Sequence, residues 1–120
     1  MRFSSRRERD GGMVTAELAA CLPVLVLVLA VALSAVSVAG ARIRVADAAG
    51  EVARAAARGD PATGRRLALT AAPGAQVAVE TSGDEVVALV TLRVRLLASW
   101  LPAVTVSERA VAAAEPSVPP

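Results

Sequence analysis

From Leu18 to Gly40 the chain runs for 23 residues without a charged side chain. An apolar stretch of about 18 or more residues is long enough to cross a bilayer as a helix. Lipid offers no partner to a backbone N–H or C=O, so such a segment must bond its own backbone, which for one strand of chain means a helix. This run constrains the fold more than anything else in the sequence. It commits roughly a fifth of the 120 residues to a single helix and leaves about 80, from Ala41 onward, for anything folded. A domain of that size builds only a small core. With one Phe, one Trp and no Tyr in the whole chain, that core must be made of Val, Leu and Ala.

The net charge of +2 is unevenly placed. Arg2, Arg6, Arg7 and Arg9 outweigh Glu8 and Asp10 in residues 1–12, whereas the rest of the chain balances nine Arg against nine acids. Basic residues flanking an apolar run hold that end on the cytoplasmic side. The excess therefore reads as a topology signal: N-terminus cytoplasmic, C-terminal region outside. No basic patch with interleaved aromatics stands elsewhere, so no nucleic-acid partner is expected. The chain has no His and a single Cys, Cys21. This rules out an intrachain disulfide and leaves no nucleophile–base or metal-ligand constellation. Neither an enzyme nor a cofactor or metal is expected; the partner the composition names is membrane lipid.

Glu17 stands at the lip of the apolar run, and a charge drawn to the bilayer centre costs about 2.5–3.5 kcal/mol. As an acid near a helix start it gains a little from the helix dipole. Three processing signals overlap here. Ala39-Gly40-Ala41 offers a signal-peptidase site that would release a small secreted module after Ala39 or Ala41, although the apolar run exceeds an ordinary h-region of about 7–15 residues. Leu18-Ala19-Ala20-Cys21 has the letters of a lipoprotein lipobox, but its cysteine precedes the hydrophobic segment instead of following it. Retention without any cleavage would leave a single-pass membrane protein of unknown role.

The third signal is Gly12-Met13-Val14-Thr15-Ala16-Glu17 after an Arg-rich leader. It resembles the cleavage motif of type IV prepilins. Together with Leu18-Ala19, Leu22-Pro23 and the Val/Leu run, it is similar to the TadE-like minor pilins and pseudopilins of tight-adherence (Tad/Flp) pili. That resemblance covers residues 11–40. It implies a bacterial pilus subunit cut between Gly12 and Met13 by a prepilin peptidase, which needs extended, side-chain-free backbone at the glycines. It further implies that Glu17 pairs with the Met13 amine of a neighbouring subunit, and that the partners are other pilin subunits and the Tad assembly platform. Pro23 removes one helical hydrogen bond and is a candidate kink.

Helical character continues past Gly40. Val45, Ala49, Val52 and Ala56 recur at helical spacing, with Asp47 and Glu51 N-terminal to Arg54 and Arg58 in the favourable order. Arg58-Gly59-Asp60-Pro61 is a stop, giving a helix over 14–58 of roughly 67 Å. Pro61 then starts a short helix to about Ala72. Beyond Pro73-Gly74 the period becomes two: strands at 76–81, 85–97 and 103–113, with a hairpin at Ser82-Gly83-Asp84. Val86, Ala88, Val90, Leu92, Val94 and Leu96 fall on one face; Arg93 and Arg95 lie on the other, available to a partner or an anionic surface, or simply solvated. The expected fold is α+β and pilin-like, a long N-terminal helix packed on a small three-stranded antiparallel sheet. Its segments are a basic leader (1–12), a transmembrane helix (13–41), its exterior continuation (42–58), a small α+β domain (59–114) and a Pro-rich tail (115–120).

Overall fold

A computed structural model of the chain describes residues 5–116. Arg2 of the expected leader and the last four residues of the tail lie outside the described residues. The elements are α1 (Ser5–Ala57), α2 (Pro61–Ala71), β1 (Gln76–Ser82), β2 (Glu85–Val94) and β3 (Val104–Ala113). The expected α+β layout is observed: the strands form one antiparallel meander in the order β1-β2-β3, against which the outer half of α1 packs.

Helix α1 is one piece of 53 residues, about 80 Å at 1.5 Å per residue. It begins upstream of the expected start at Val14 and carries straight through Gly11 and Gly12, so no conformational boundary separates residue 12 from 13. Two glycines lower helix propensity by about 1 kcal/mol each, yet the apolar helix beyond them offers a template on which further turns add without a new nucleation step. Pro23 lies inside the helix without ending it.

Where α1 ends, each backbone group is accounted for. Gly59 takes φ +82°, a conformation that costs a Cβ-bearing residue. This lets its N–H bond the Ala56 carbonyl at 3.0 Å and the Asp60 N–H bond the Ala55 carbonyl at 2.9 Å, the paired bonds of a Schellman motif. Asp60 then caps α2, its Oδ1 accepting from the Thr63 N–H at 3.1 Å, with Pro61 opening the first turn. Thr63, through its hydroxyl and its amide, holds the Asp60 carboxyl below the usual carboxylate range, and Arg66 and Arg58 add to the effect.

The core is built almost wholly from Ala and Val. Val45, Val52, Val86 and Val90 are its largest fully buried side chains, and Ala48, Ala49, Ala53, Ala68, Ala72 and Ala88 fill the rest. The buried face of α1 is thus wider than the expected stripe, because Ala41, Ala48, Ala53 and Ala55 are also inside. Small side chains allow close approach. A Cβ on Gly64 would stand 2.8 Å from the Ala55 Cβ and 3.0 Å from the Val52 Cα, so α2 lies nearly backbone to backbone on α1. β2 is shorter than the expected 85–97 strand, ending at Val94 because β3 begins opposite it at Val104; residues 95–103 become the connecting loop.

Two outcomes follow. Gly64→Ala should destabilise the domain by about 1–2 kcal/mol in denaturant unfolding of the detergent-solubilised chain, since overpacking outweighs the roughly 1 kcal/mol gain in helix propensity; a stabilised variant would contradict the close approach. Because the Asp60 carboxyl is depressed on folding, its contribution is complete above the unfolded pKa and is lost as pH falls through the folded one. Asp60→Asn keeps the cap and should flatten that acid-side loss; an unchanged pH profile would show that Asp60 is not its source.

Candidate functional site

The side chains singled out on the inner half of α1 all point outward. Met13 is 72% exposed. Gly11 and Gly12 have open space around them, and the Thr15 hydroxyl donates to the Gly11 carbonyl at 2.9 Å, reinforcing helix where extended backbone was expected. Glu17 is exposed and makes no ion pair among the described residues. Cys21 is free and exposed. These residues share one helical segment and line none of the main hollows among the described residues.

From Leu18 to Val36 the same helix exposes a continuous apolar surface, with Leu22, Leu25, Val28 and Val31 all more than half exposed. One helix, and only one among the described residues, is long and apolar enough to cross a membrane, with a mean hydropathy of 2.7 over its most apolar window.

The convergent geometry lies at the outer end of this surface. The C-terminal end of β3 is tied to the end of α1, the Glu115 N–H bonding the Ala57 carbonyl at 3.0 Å, and to the hairpin turn, the Ala114 N–H bonding the Asp84 carbonyl at 2.7 Å. β3 therefore runs back along α1 toward the apolar run. Midway, the Arg42 Nε donates to Glu108 Oε1 at 2.7 Å. At about 3.4 Å per strand residue and 1.5 Å per helix residue, Val104 sits level with about Leu33. The 95–103 loop is accordingly folded against the helix, and Val31, Ser34, Ala35 and Val38 of α1 form an apolar groove with Leu96, Leu101 and Val104. Ser34 is buried there, its hydroxyl satisfied by the Ala30 carbonyl at 2.7 Å, the internal bond a helical Ser uses where no other partner exists.

On the outward side of the loop, Arg93 and Arg95 flank a hollow of about 460 Å³ completed by Leu96, Ser99, Leu101 and Ala103. Leu97 and Trp100 project from the loop tip, 63% and 73% exposed. A second, smaller hollow crosses the open face of the sheet between Glu80 and Arg109, over Val87 and Leu89. Neither holds a nucleophile beside a base, and among the described residues no three His, Cys, Asp or Glu side chains stand close enough to share a metal ion. The arrangement presents binding surfaces. A turn at Trp100-Leu101-Pro102 is readable in the sequence, but the Arg42–Glu108 pair and the packing of the 95–103 loop on α1 are not, because both depend on how far β3 slides along α1, which no local pattern encodes.

Over 101 residues the chain is 41% identical to the protein named "Apoptosis inhibitor Rv3655c" of Mycobacterium tuberculosis, a match covering 83% of this chain and 78% of that protein. A match of that length must take in most of α1 together with α2, β1 and β2. No protein-family model matches the chain, and no solved structure does.

This finding corrects the pilus resemblance. The motif spanning residues 11–40 suggested a Tad/Flp minor pilin, but the relative matched over most of the chain carries a name that does not point to a pilus, and no pilin family model supports the motif. Gly-x-x-x-x-Glu ahead of an apolar run is a short pattern that any membrane helix with an acid at its inner lip can carry. The cleavage at Gly12–Met13, the pairing role of Glu17 and the pilin and assembly-platform partners all rested on that resemblance.

The exposed ion pair at the joint generates a quantitative expectation. Arg42→Gln should cost less than about 1 kcal/mol, since Arg42 is largely in solvent. Val90→Ala, which empties a fully buried site, should cost about 2 kcal/mol or more. Denaturant unfolding of both variants measures this, and a larger loss for Arg42→Gln would contradict the account.

Proposed function

We infer function from the premise that this chain belongs to the family of Apoptosis inhibitor Rv3655c, and we propose that it is a membrane-anchored binding protein that restrains apoptosis without catalysis. The observation that carries the reading is the unbroken passage of α1 from an exposed, membrane-length apolar surface into the core of the small α+β domain. A domain fused so rigidly to its anchor is held at a fixed height above the bilayer, presenting the outer sheet face with Glu80 and Arg109 to a protein target. The absence of His from the chain and its single, membrane-level Cys support binding over catalysis.

The Arg-rich first twelve residues favour a cytoplasmic N-terminus and an exterior domain. Retention of the anchor is supported by the position of Ala39-Gly40-Ala41. The helix is continuous there and Ala41 is fully buried, so a cut after Ala39 or Ala41 would sever a helix that the domain uses as its core.

Two measurements test this. A reporter fused after Pro120 should be active only on the exterior side, on a chain whose mass retains the apolar run; cytoplasmic activity, or a product beginning near Gly40, would overturn the anchored topology. Full-length protein expressed in animal cells should lower caspase activation after an apoptotic stimulus, and Arg109→Glu on the sheet face should weaken that effect several-fold while leaving the protein folded. Undiminished caspase activation with the wild-type chain would overturn the inhibitory role.

A further inference from the structure

We propose that the 95–103 loop is seated in the outer boundary of the bilayer that α1 crosses, with Trp100 and Leu97 in the interfacial layer and Arg93 and Arg95 directed at lipid phosphates. The proposal rests on the membrane-spanning reading of α1 and adds a second, peripheral contact between the folded domain and lipid.

Height is the first argument. About 20 residues cross the hydrocarbon core. Counted from Leu18, the first position beyond the charge of Glu17, they end near Ser37. The loop packs on α1 between Val31 and Val38, from about 9 Å below that end up to it at 1.5 Å per residue, so it lies in the outermost layer of hydrocarbon, next to the headgroups. The antiparallel course of β3 dictates this level: with its end fixed beside Ala57 and its middle beside Arg42, its start must lie beside the apolar run.

Chemistry is the second. The chain has one Trp and no Tyr, and that Trp stands at the loop tip with its indole mostly free of protein contact. Indole is apolar over its rings and polar at one N–H, the combination enriched at membrane–water boundaries. Leu97 projects beside it. In water, two large exposed apolar side chains on one short loop would be a liability; at the boundary both are covered. Arg93 and Arg95 flank the adjoining hollow, and a guanidinium fork matches the oxygens of a phosphate. A protein partner for the same loop would have to reach it within the headgroup layer, which makes lipid the occupant.

The single tryptophan makes the test direct. In vesicles of zwitterionic lipid with a minor anionic fraction, the full chain should give blue-shifted Trp100 emission. Quenching should be stronger by a lipid spin-labelled near the top of its acyl chain than by one labelled near the methyl end, and acrylamide quenching should be several-fold weaker than for free N-acetyltryptophanamide. Water-like emission, unaffected by either lipid label, would overturn the proposal. Blue-shifted emission insensitive to both labels would overturn it too, since it would place Trp100 against protein. A Trp100→Phe, Val28→Trp variant separates this result from the anchor itself. Its mid-helix indole should be quenched most by the deep label, so deep quenching there with a water-like Trp100 refutes the loop alone, and its absence refutes both readings. Arg93→Gln with Arg95→Gln should reduce shallow-label quenching of Trp100 several-fold; wild-type quenching would refute the role of the arginines.

Discussion

One helix carries both a stretch long and apolar enough to cross a membrane and the central element of a folded domain, and everything else in the molecule follows from how it joins the two. From Asp10 to Leu29 every residue of α1 is exposed, and the backbone there must close every hydrogen bond internally if lipid surrounds it. Along its outer half, the same helix is the central element of a folded domain. Because nothing interrupts it between Ser5 and Ala57, the orientation of the domain is fixed by helical phase. The side of α1 that carries Ser34, Ala41, Val45 and Val52 meets the protein, and the opposite side stays bare. A linker in place of residues 38–42 would have left domain and anchor independent. Here they form one rod.

The second half of that bargain is a core with little bulk. Its largest members are valines, so each contributes only about 1.5–3 kcal/mol on burial, and close approach has to make up for scarce surface. The Gly64 contact with Val52 and Ala55, the Schellman closure at Gly59 and the bond from Glu115 back to Ala57 each shorten the distance between backbones. Packing of this kind is intolerant of added volume, which explains a helix-breaking glycine in the middle of α2. The charge pairs contribute less: Arg42–Glu108 and Glu51–Arg54 are exposed and guide alignment more than they stabilise.

Much of this was legible in the residues, for identifiable reasons. The helix ending at Arg58-Gly59-Asp60-Pro61 and the helix opening at Pro61 are written in local capping chemistry, and the β2 alternation from Val86 to Val94 is written in a period of two. Three features were not. The start of α1 was misplaced because the local weakness of Gly11-Gly12 is overridden by the helix that follows. The end of β2 was placed at Leu97 because alternation continues through Arg95 and Leu96, while the strand ends only where its neighbour begins. The wide Ala face of α1 was missed because alanine counts weakly in any hydrophobic pattern yet packs as well as valine when backbones come close. The functional reading suffered from the opposite fault: a compact motif at residues 12–17 suggested a pilus subunit, and similarity across most of the chain replaced it. Arg93 and Arg95 were visible as a pair on the open face, but where they stand along α1 depends on the sheet's register with the helix.

Continuity of α1 across the joint is the claim on which anchor, domain height and loop position all depend. It is tested most directly by a distance between two spin labels in vesicles, one on the native Cys21, which is exposed, the other on Asp47→Cys on the exposed side of the outer half. An unbroken helix places the two backbone positions roughly 39 Å apart at 1.5 Å per residue, with a narrow distribution centred near that value. A broad distribution, or a centre well below it, would mean a hinge between lipid and domain and would contradict the account.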